Sequence, residues 1–120
     1  MSKETHLEKA MQWVSKRNTL NIKSRFSNDE YDPTQVFVSK NSDKTIQSDI
    51  SFVSSEGTRS YLEIAIKTED AESLVTRWKL LSTMASIKRG KLYILTPRGH
   101  KVFTQKLVEQ HNIKASIYSI

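Results

Sequence analysis

The sequence predicts an α/β fold: one mixed sheet of about five strands with helices on both faces, in the order α-β-β-β-α-β-α-β. Three observations carry this. Segments of helical period alternate with segments of strand period along the chain. Two adjoining strand segments in the middle flank a short loop containing a glycine. Leu92–Thr96 is the short, nearly continuous apolar run of a strand covered on both sides. At 120 residues the chain fits a single domain, 1–120, with a core of its own; no repeat, low-complexity tract or proline-rich stretch marks a linker.

Thr5 followed three residues later by Glu8 has the form of a capping box, and Leu7, Met11 and Val14 recur along one face, so a first helix is expected from about Thr5 to Arg17. Residues 18–31 are polar, with Leu20, Ile22 and Phe26 alternating weakly, and read as an irregular segment or short edge strand. Val36, Phe37 and Val38 follow Pro33 as a β-branched and aromatic strand, ended by the turn-prone cluster Lys40, Asn41, Ser42 and Asp43.

The hairpin is the informative part. Its arms are Gln47–Ser54 and Arg59–Lys67, joined by Ser55, Glu56, Gly57 and Thr58. Ile50 and Phe52 face one way, as do Leu62, Ile64 and Ile66. Directly paired residues share a face, so even positions must pair with even positions or the apolar set would split between core and solvent. Asp49 then falls opposite, or diagonal to, Glu63 and Ala65.

Thr68 or Asp70 can cap the next helix, which runs through Leu74, Val75, Trp78, Leu81 and Ala85 and stops near Gly90 with Lys88 and Arg89 in its last turn. Pro97 ends the strand Leu92–Thr96. Phe103, Leu107 and Val108 pattern a third helix to about His111, and Ile113–Ile120 alternates as a last strand.

Nineteen Lys and Arg against 13 Asp and Glu leave a net charge of +6, which draws polyanions and is equally the charge of an ordinary solubilised surface. There is no cysteine, so disulfides, thiolate nucleophiles and cysteine zinc sites are excluded. No apolar run approaches the roughly 18 to 20 residues of a membrane helix, and the opening MSKETHLEKA has acidic residues where a signal peptide would be apolar. A soluble cytoplasmic protein is expected.

On the odd-numbered face of the hairpin stand Asp49, Ser51, Tyr61, Glu63, Ala65 and Lys67, a polar stripe on strands whose other face is core. Two carboxylates brought together by strand pairing can share a hard divalent cation such as Mg²⁺. A lysine on that face could position or deprotonate an attacking water, or stabilise charge on a phosphate. The plainer alternatives are an Asp49 side chain bonded to a backbone amide and a Glu63–Lys67 ion pair along one strand.

The segment QSDISFVSSEGTRSYLEIAIK resembles the hairpin of the PD-(D/E)XK nuclease superfamily, in which an aspartate on one strand is followed, after a turn, by an acidic residue and a lysine on the next. The helix and strand order is similar to that restriction-endonuclease-like fold, in particular to its Holliday-junction-resolvase-like members. The resemblance implies a Mg²⁺- or Mn²⁺-dependent nuclease acting on DNA. By position, Asp49 matches the first aspartate, Glu63 the second acidic residue, and Glu8 the helical glutamate that some members use as a further metal ligand. The family lysine belongs where Ala65 stands, and Ser48 replaces the proline before Asp49. Lys67 lies two residues on, along the same face, ~6.6 Å away at strand rise, as a displaced lysine does in some members. These departures leave a second expectation: a catalytically inactive domain of the same fold that binds nucleic acid or another protein. Dimeric relatives of similar length imply a homodimer.

Further residues complete the expected phosphate contacts. Lys23 and Arg25 lie in the polar segment before the hairpin; Lys88, Arg89 and Lys91 form the densest basic cluster; Arg98 and His100 follow a strand end and open a helix, where α/β proteins bind anions. Each also reads as an ordinary solvated residue, as His6 and His111 do. Trp13 and Trp78 read as core or interface anchors, without the interleaved basic context of base stacking.

Overall fold

A 3-10 turn, Lys3–His6, leads into α1 (Leu7–Ser15), followed by β1 (Thr19–Ser24), β2 (Val36–Val38), β3 (Thr45–Gln47), β4 (Ile50–Ser54), β5 (Arg59–Ile64), α2 (Ala71–Ile87), β6 (Arg89–Thr96), α3 (Lys101–Gln110) and β7 (Ser116–Ser119). The structure is a computed structural model that describes residues 3–17, 19–26, 31–38, 45–67 and 70–120. The turn cluster Lys40–Asp43 and the alternative cap Thr68 lie outside the described residues.

Five strands form the main sheet in the order β1-β4-β5-β6-β7. β4 runs antiparallel to both of its neighbours, β1 and β5, and β6 and β7 join parallel through α2 and α3. The expected α-β-β-β-α-β-α-β order is therefore present, with Thr19–Ser24 as its first strand. Val36–Val38 pairs instead with Thr45–Gln47 in a separate two-stranded sheet. Only Phe37 of that strand is buried, with Val36 and Val38 49% and 68% exposed, so it lacks the apolar faces an inner strand needs. The expected arm Gln47–Ser54 is divided at Ser48 and Asp49, where the chain leaves the small sheet for the large one.

The hairpin register is the one the alternation requires: Ile50 opposite Leu62 and Phe52 opposite Ser60, even with even. One face carries Ile50, Phe52, Leu62, Ile64 and Leu95 against Ala10 and Val14 of α1. The other carries Tyr61, Ala65, Leu92 and Ile94 against Trp78 and Leu81 of α2, Leu107 of α3, and Phe37 and Ile46 of the small sheet. The odd-numbered stripe is thus covered by α2 and by β2–β3.

Two local departures from regular geometry set the facing of β1 and the start of β6. In β1, Leu20 pairs with Val53 but Lys23 with Ser51, so one extra residue is accommodated at a bulge where Asn21 has φ +48°. The bulge reverses the strand's facing: Leu20 is 57% exposed, whereas Ile22 packs against the α1-side core. At the end of α2, Lys88 is the C-cap and Arg89, not glycine, takes the left-handed conformation (φ +62°). Gly90 already belongs to β6, where a Cβ would stand 1.8 Å from the Arg59 carbonyl oxygen. It is required by close strand approach and not as a helix stop.

The caps were only partly as expected. Asp70 caps α2, accepting from the Ser73 N–H at 3.2 Å. At α1 the cap position falls on His6, one residue after the expected Thr5, and the His6 side chain makes no cap hydrogen bond. Among the described residues no helix is long and apolar enough to cross a membrane.

Candidate functional site

The register that buries the even face brings Asp49 level with Glu63. The Asp49 N–H donates to Glu63 Oε2 at 2.8 Å, and the Ile64 N–H donates to Asp49 Oδ2 at 2.9 Å, so each strand's backbone holds the other strand's carboxylate. Both side chains are 0% exposed. Two unshielded carboxylates in such a place would be prohibitively costly, and the fold compensates them with cations from three separate elements.

Lys3, in the turn before α1, places Nζ 2.8 Å from Asp49 Oδ2 and 4.0 Å from Glu63 Oε1. Arg25, just beyond β1, donates from Nε to Asp49 Oδ1 at 2.5 Å. From α2, Arg77 donates through Nε to Glu63 Oε1 and through Nη2 to Glu63 Oε2 at 3.2 Å and to the Gln47 carbonyl. Arg77 Nη2 also lies 3.6 Å from Asp49 Oδ1. The five side chains carry three positive and two negative charges, a sum of +1.

The two acids are pulled in opposite directions. Burial alone would raise the Asp49 pKa, but Lys3, the Arg25 hydrogen bond and the Ile64 N–H outweigh it and hold it below the usual carboxylate value. Glu63 is raised, first by burial and then by the neighbouring Asp49 charge, which Lys3 and Arg77 do not cancel. Arg77 is raised despite its own burial, because both carboxylates favour its charged form. Protons entering this cluster go to Glu63 first.

The expected site residues are brought together only in part. Lys67 lies past the end of β5, exposed, and its backbone N–H donates to His100 Nδ1 at 2.8 Å; its ammonium group is not among the cations on the pair. Glu8 is exposed on α1, and among the described residues no group of three or more His, Asp or Glu side chains comes together as a metal site. Lys23 stands opposite Ser51, two residues before Arg25. Lys88, Arg89 and Lys91 are exposed at the far end of β6, beside Arg59, where the Lys91 N–H donates to Ser60 Oγ. Arg98 is exposed in the turn after β6, and His100 occupies the N-cap position of α3. His6 lies close enough to His100 and Lys9 that partial burial and their charge lower its pKa.

Two contributors to the site were not anticipated. Arg77 had a signal: Leu74, Arg77, Trp78 and Leu81 follow the i, i+3, i+4, i+7 spacing of a core stripe, and an arginine there needs a buried partner. Lys3 had none, because its reach depends on where the first turn docks.

The Mg²⁺ or Mn²⁺ ion that the resemblance implies can be tested against this donor set. Such an ion takes oxygen lone pairs and keeps several waters. Here all four carboxylate oxygens accept from protein N–H or ammonium groups, and both carboxylates are sealed from solvent. As arranged, the residues do not fit a hydrated divalent cation, which would have to displace Lys3 or Arg77. Compared with known protein families, with curated proteins and with solved structures, the chain matches none.

Proposed function

We propose that this domain binds nucleic acid through its phosphate backbone and does not cleave it. One observation carries the reading. The buried acids are outnumbered by Lys3, Arg25 and Arg77, whose side chains keep 19%, 33% and 22% of their surface open to solvent. Asp49 and Glu63 act as an internal frame that fixes these cations in place, so a phosphate meets donors whose side-chain entropy is already spent. Lys23 on β1, two residues before Arg25, with Arg98 and His100 beyond the C-terminal end of β6, extends the positive surface, and the net charge of +6 favours encounter.

The likeness to the PD-(D/E)XK fold belongs to the same proposal, supported by the strand order and by the meeting of Asp49 with Glu63. Ala65 in place of the lysine and the compensated carboxylates favour its inactive form. Cytoplasmic residence and DNA as the partner belong to this reading, and a homodimer, carried by the same likeness, is checked by size-exclusion chromatography over a range of concentrations.

The experiment is fluorescence anisotropy with labelled DNA over a salt series, run beside plasmid and branched-DNA cleavage assays containing Mg²⁺ or Mn²⁺. Binding should weaken with a log–log salt slope of about −2 or steeper, the release expected for three phosphates. No DNA should be cut. Absence of binding at low salt overturns the reading. Cleavage that disappears in Asp49→Asn replaces it with the hydrolytic one, in which Asp49 and Glu63 hold the metal and Lys67 assists the water.

A further inference from the structure

On the opposite face of the sheet from the acid pair, three aromatic rings from three elements meet around one guanidinium. Trp13 of α1 lies with its ring centroid 5.3 Å from that of Tyr93 on β6 and 5.2 Å from that of Tyr118 on β7, and the two tyrosines are 6.0 Å apart. Arg17, just past the end of α1, sets Cζ 4.1 Å from the Trp13 centroid and 5.2 Å from each tyrosine. Trp13 and Arg17 are four residues apart, one helical turn, which aligns guanidinium and indole. Trp13 and Tyr93 are half-buried, while Arg17 is exposed and Tyr118 is 37% exposed.

The core does not explain this arrangement fully. Phe52 backs Tyr93 from inside, with ring centroids 5.8 Å apart, so the platform is rigidly supported beneath and open above. A guanidinium set over an indole keeps its outer side for other contacts, and a guanidinium plane is a surface on which nucleobases stack. Among the described residues no acidic side chain is ion-paired with Arg17.

We propose that the Trp13–Arg17–Tyr118 platform stacks unpaired bases, which makes single-stranded nucleic acid the ligand class of this domain. The inference rests on the backbone-binding reading above and adds to it what a duplex could not supply, since paired bases are not free to stack on a protein surface. Lys3 precedes α1 and Arg17 comes after it, so one of the three backbone cations and the platform flank the same helix.

The chain reports on this itself. It has two tryptophans, and Trp78 is 0% exposed, so a ligand that reaches the platform changes only the Trp13 emission. The experiment titrates a thymidine oligonucleotide of about 16 nucleotides, and a duplex of equal length, into the full chain at low salt while following tryptophan fluorescence and the anisotropy of a labelled strand. The single strand should bind roughly tenfold more tightly than the duplex and quench the emission. Arg17→Ala, a surface change, should weaken single-strand binding roughly tenfold and leave duplex binding unaltered. Trp13→Phe, which keeps a ring in place, should abolish the quenching and retain most of the affinity. Equal binding of both ligands with unchanged emission overturns the platform while leaving backbone binding intact. No binding of either ligand overturns both.

Discussion

Arg25 holds Asp49 by two separate bonds: its backbone N–H donates to the Asp49 carbonyl at 3.0 Å and its Nε to Oδ1 at 2.5 Å. The first bond continues the β1–β4 ladder past Ser24 and Ile50, and the second is available because Arg25 then shares the Asp49 face. That facing depends on the bulge at Asn21. Were the unchanged sequence of β1 to pair regularly from Leu20 on, Ile22 would stand opposite Ser51 and Arg25 would point to the α1 side.

Asn21 should therefore tolerate little change of conformation. Asn21→Gly, which suits φ +48°, should match or slightly exceed the parent in stability, whereas Asn21→Val should cost about 1–2 kcal/mol. Deleting residue 21 removes the extra residue and leaves Lys23 opposite Ser51 and Arg25 opposite Asp49, so that variant should still unfold cooperatively, with a straightened β1. Urea unfolding followed by circular dichroism distinguishes the three.

Arg77 fastens Glu63 to the Gln47 carbonyl through one planar group. A lysine has no such fork, so Arg77→Lys should cost about 2 kcal/mol, and Arg77→Met, which leaves Glu63 without its guanidinium, about 3–5 kcal/mol. Chemical denaturation measures both. Equal stability of Met and Lys variants would show that the charge does not matter here.

The opposed carboxylates give stability a defined pH profile. Asp49, with its folded pKa depressed, adds stability that is complete above the unfolded value of about 3.9 and is lost as pH falls through the folded one. Glu63, with its folded pKa raised, has the reverse sign: its contribution is greatest below about 4.3 and declines as pH climbs through the raised value. Melting temperature should therefore peak in mildly acidic solution. In Asp49→Asn the acid-side loss should shrink, and the neutral-side decline should soften because the neighbouring charge is gone. A parent profile that rises steadily to neutral pH would contradict the assignment for Glu63.

The end of α2 offers a pair of neighbouring changes with opposite outcomes. Arg89→Gly relieves a left-handed residue and should stabilise by roughly 0.5–1 kcal/mol. Gly90→Ala would push a methyl into the Arg59 carbonyl and should destabilise by several times that amount, on the order of 3 kcal/mol. Thermal melts of the two proteins should move apart from the parent in opposite directions.

Much of this fold was legible because burial has a period. The even-numbered apolar residues of the hairpin determined its register, and the register alone brought Asp49 to Glu63. The run Leu92–Thr96 and the stripe through Leu74, Trp78 and Leu81 similarly announced β6 and α2. What stayed hidden was set by tertiary geometry. Val36–Val38 is a strand, but nothing in its three residues tells which sheet receives it. The covering of the odd face by β2–β3 stayed hidden because that contact is long-range, and the cations on its acid pair come from the first turn, the residue after an edge strand and a helix. Trp13 looked isolated until the turn of α1 carried Arg17 over its ring, although their spacing in the sequence was the available sign.

The bulge in β1 also bears on how this sheet is kept from growing edge to edge. β1 is an outer strand, and a straight outer strand is a template on which another chain can extend a sheet. A left-handed asparagine in its middle and a lysine two residues later bend that template and charge it, and at the other border β7 is only four residues long. Concentrated solutions should thus resist fibril growth, and straightening the first border by removing its kink should expose the protein to it.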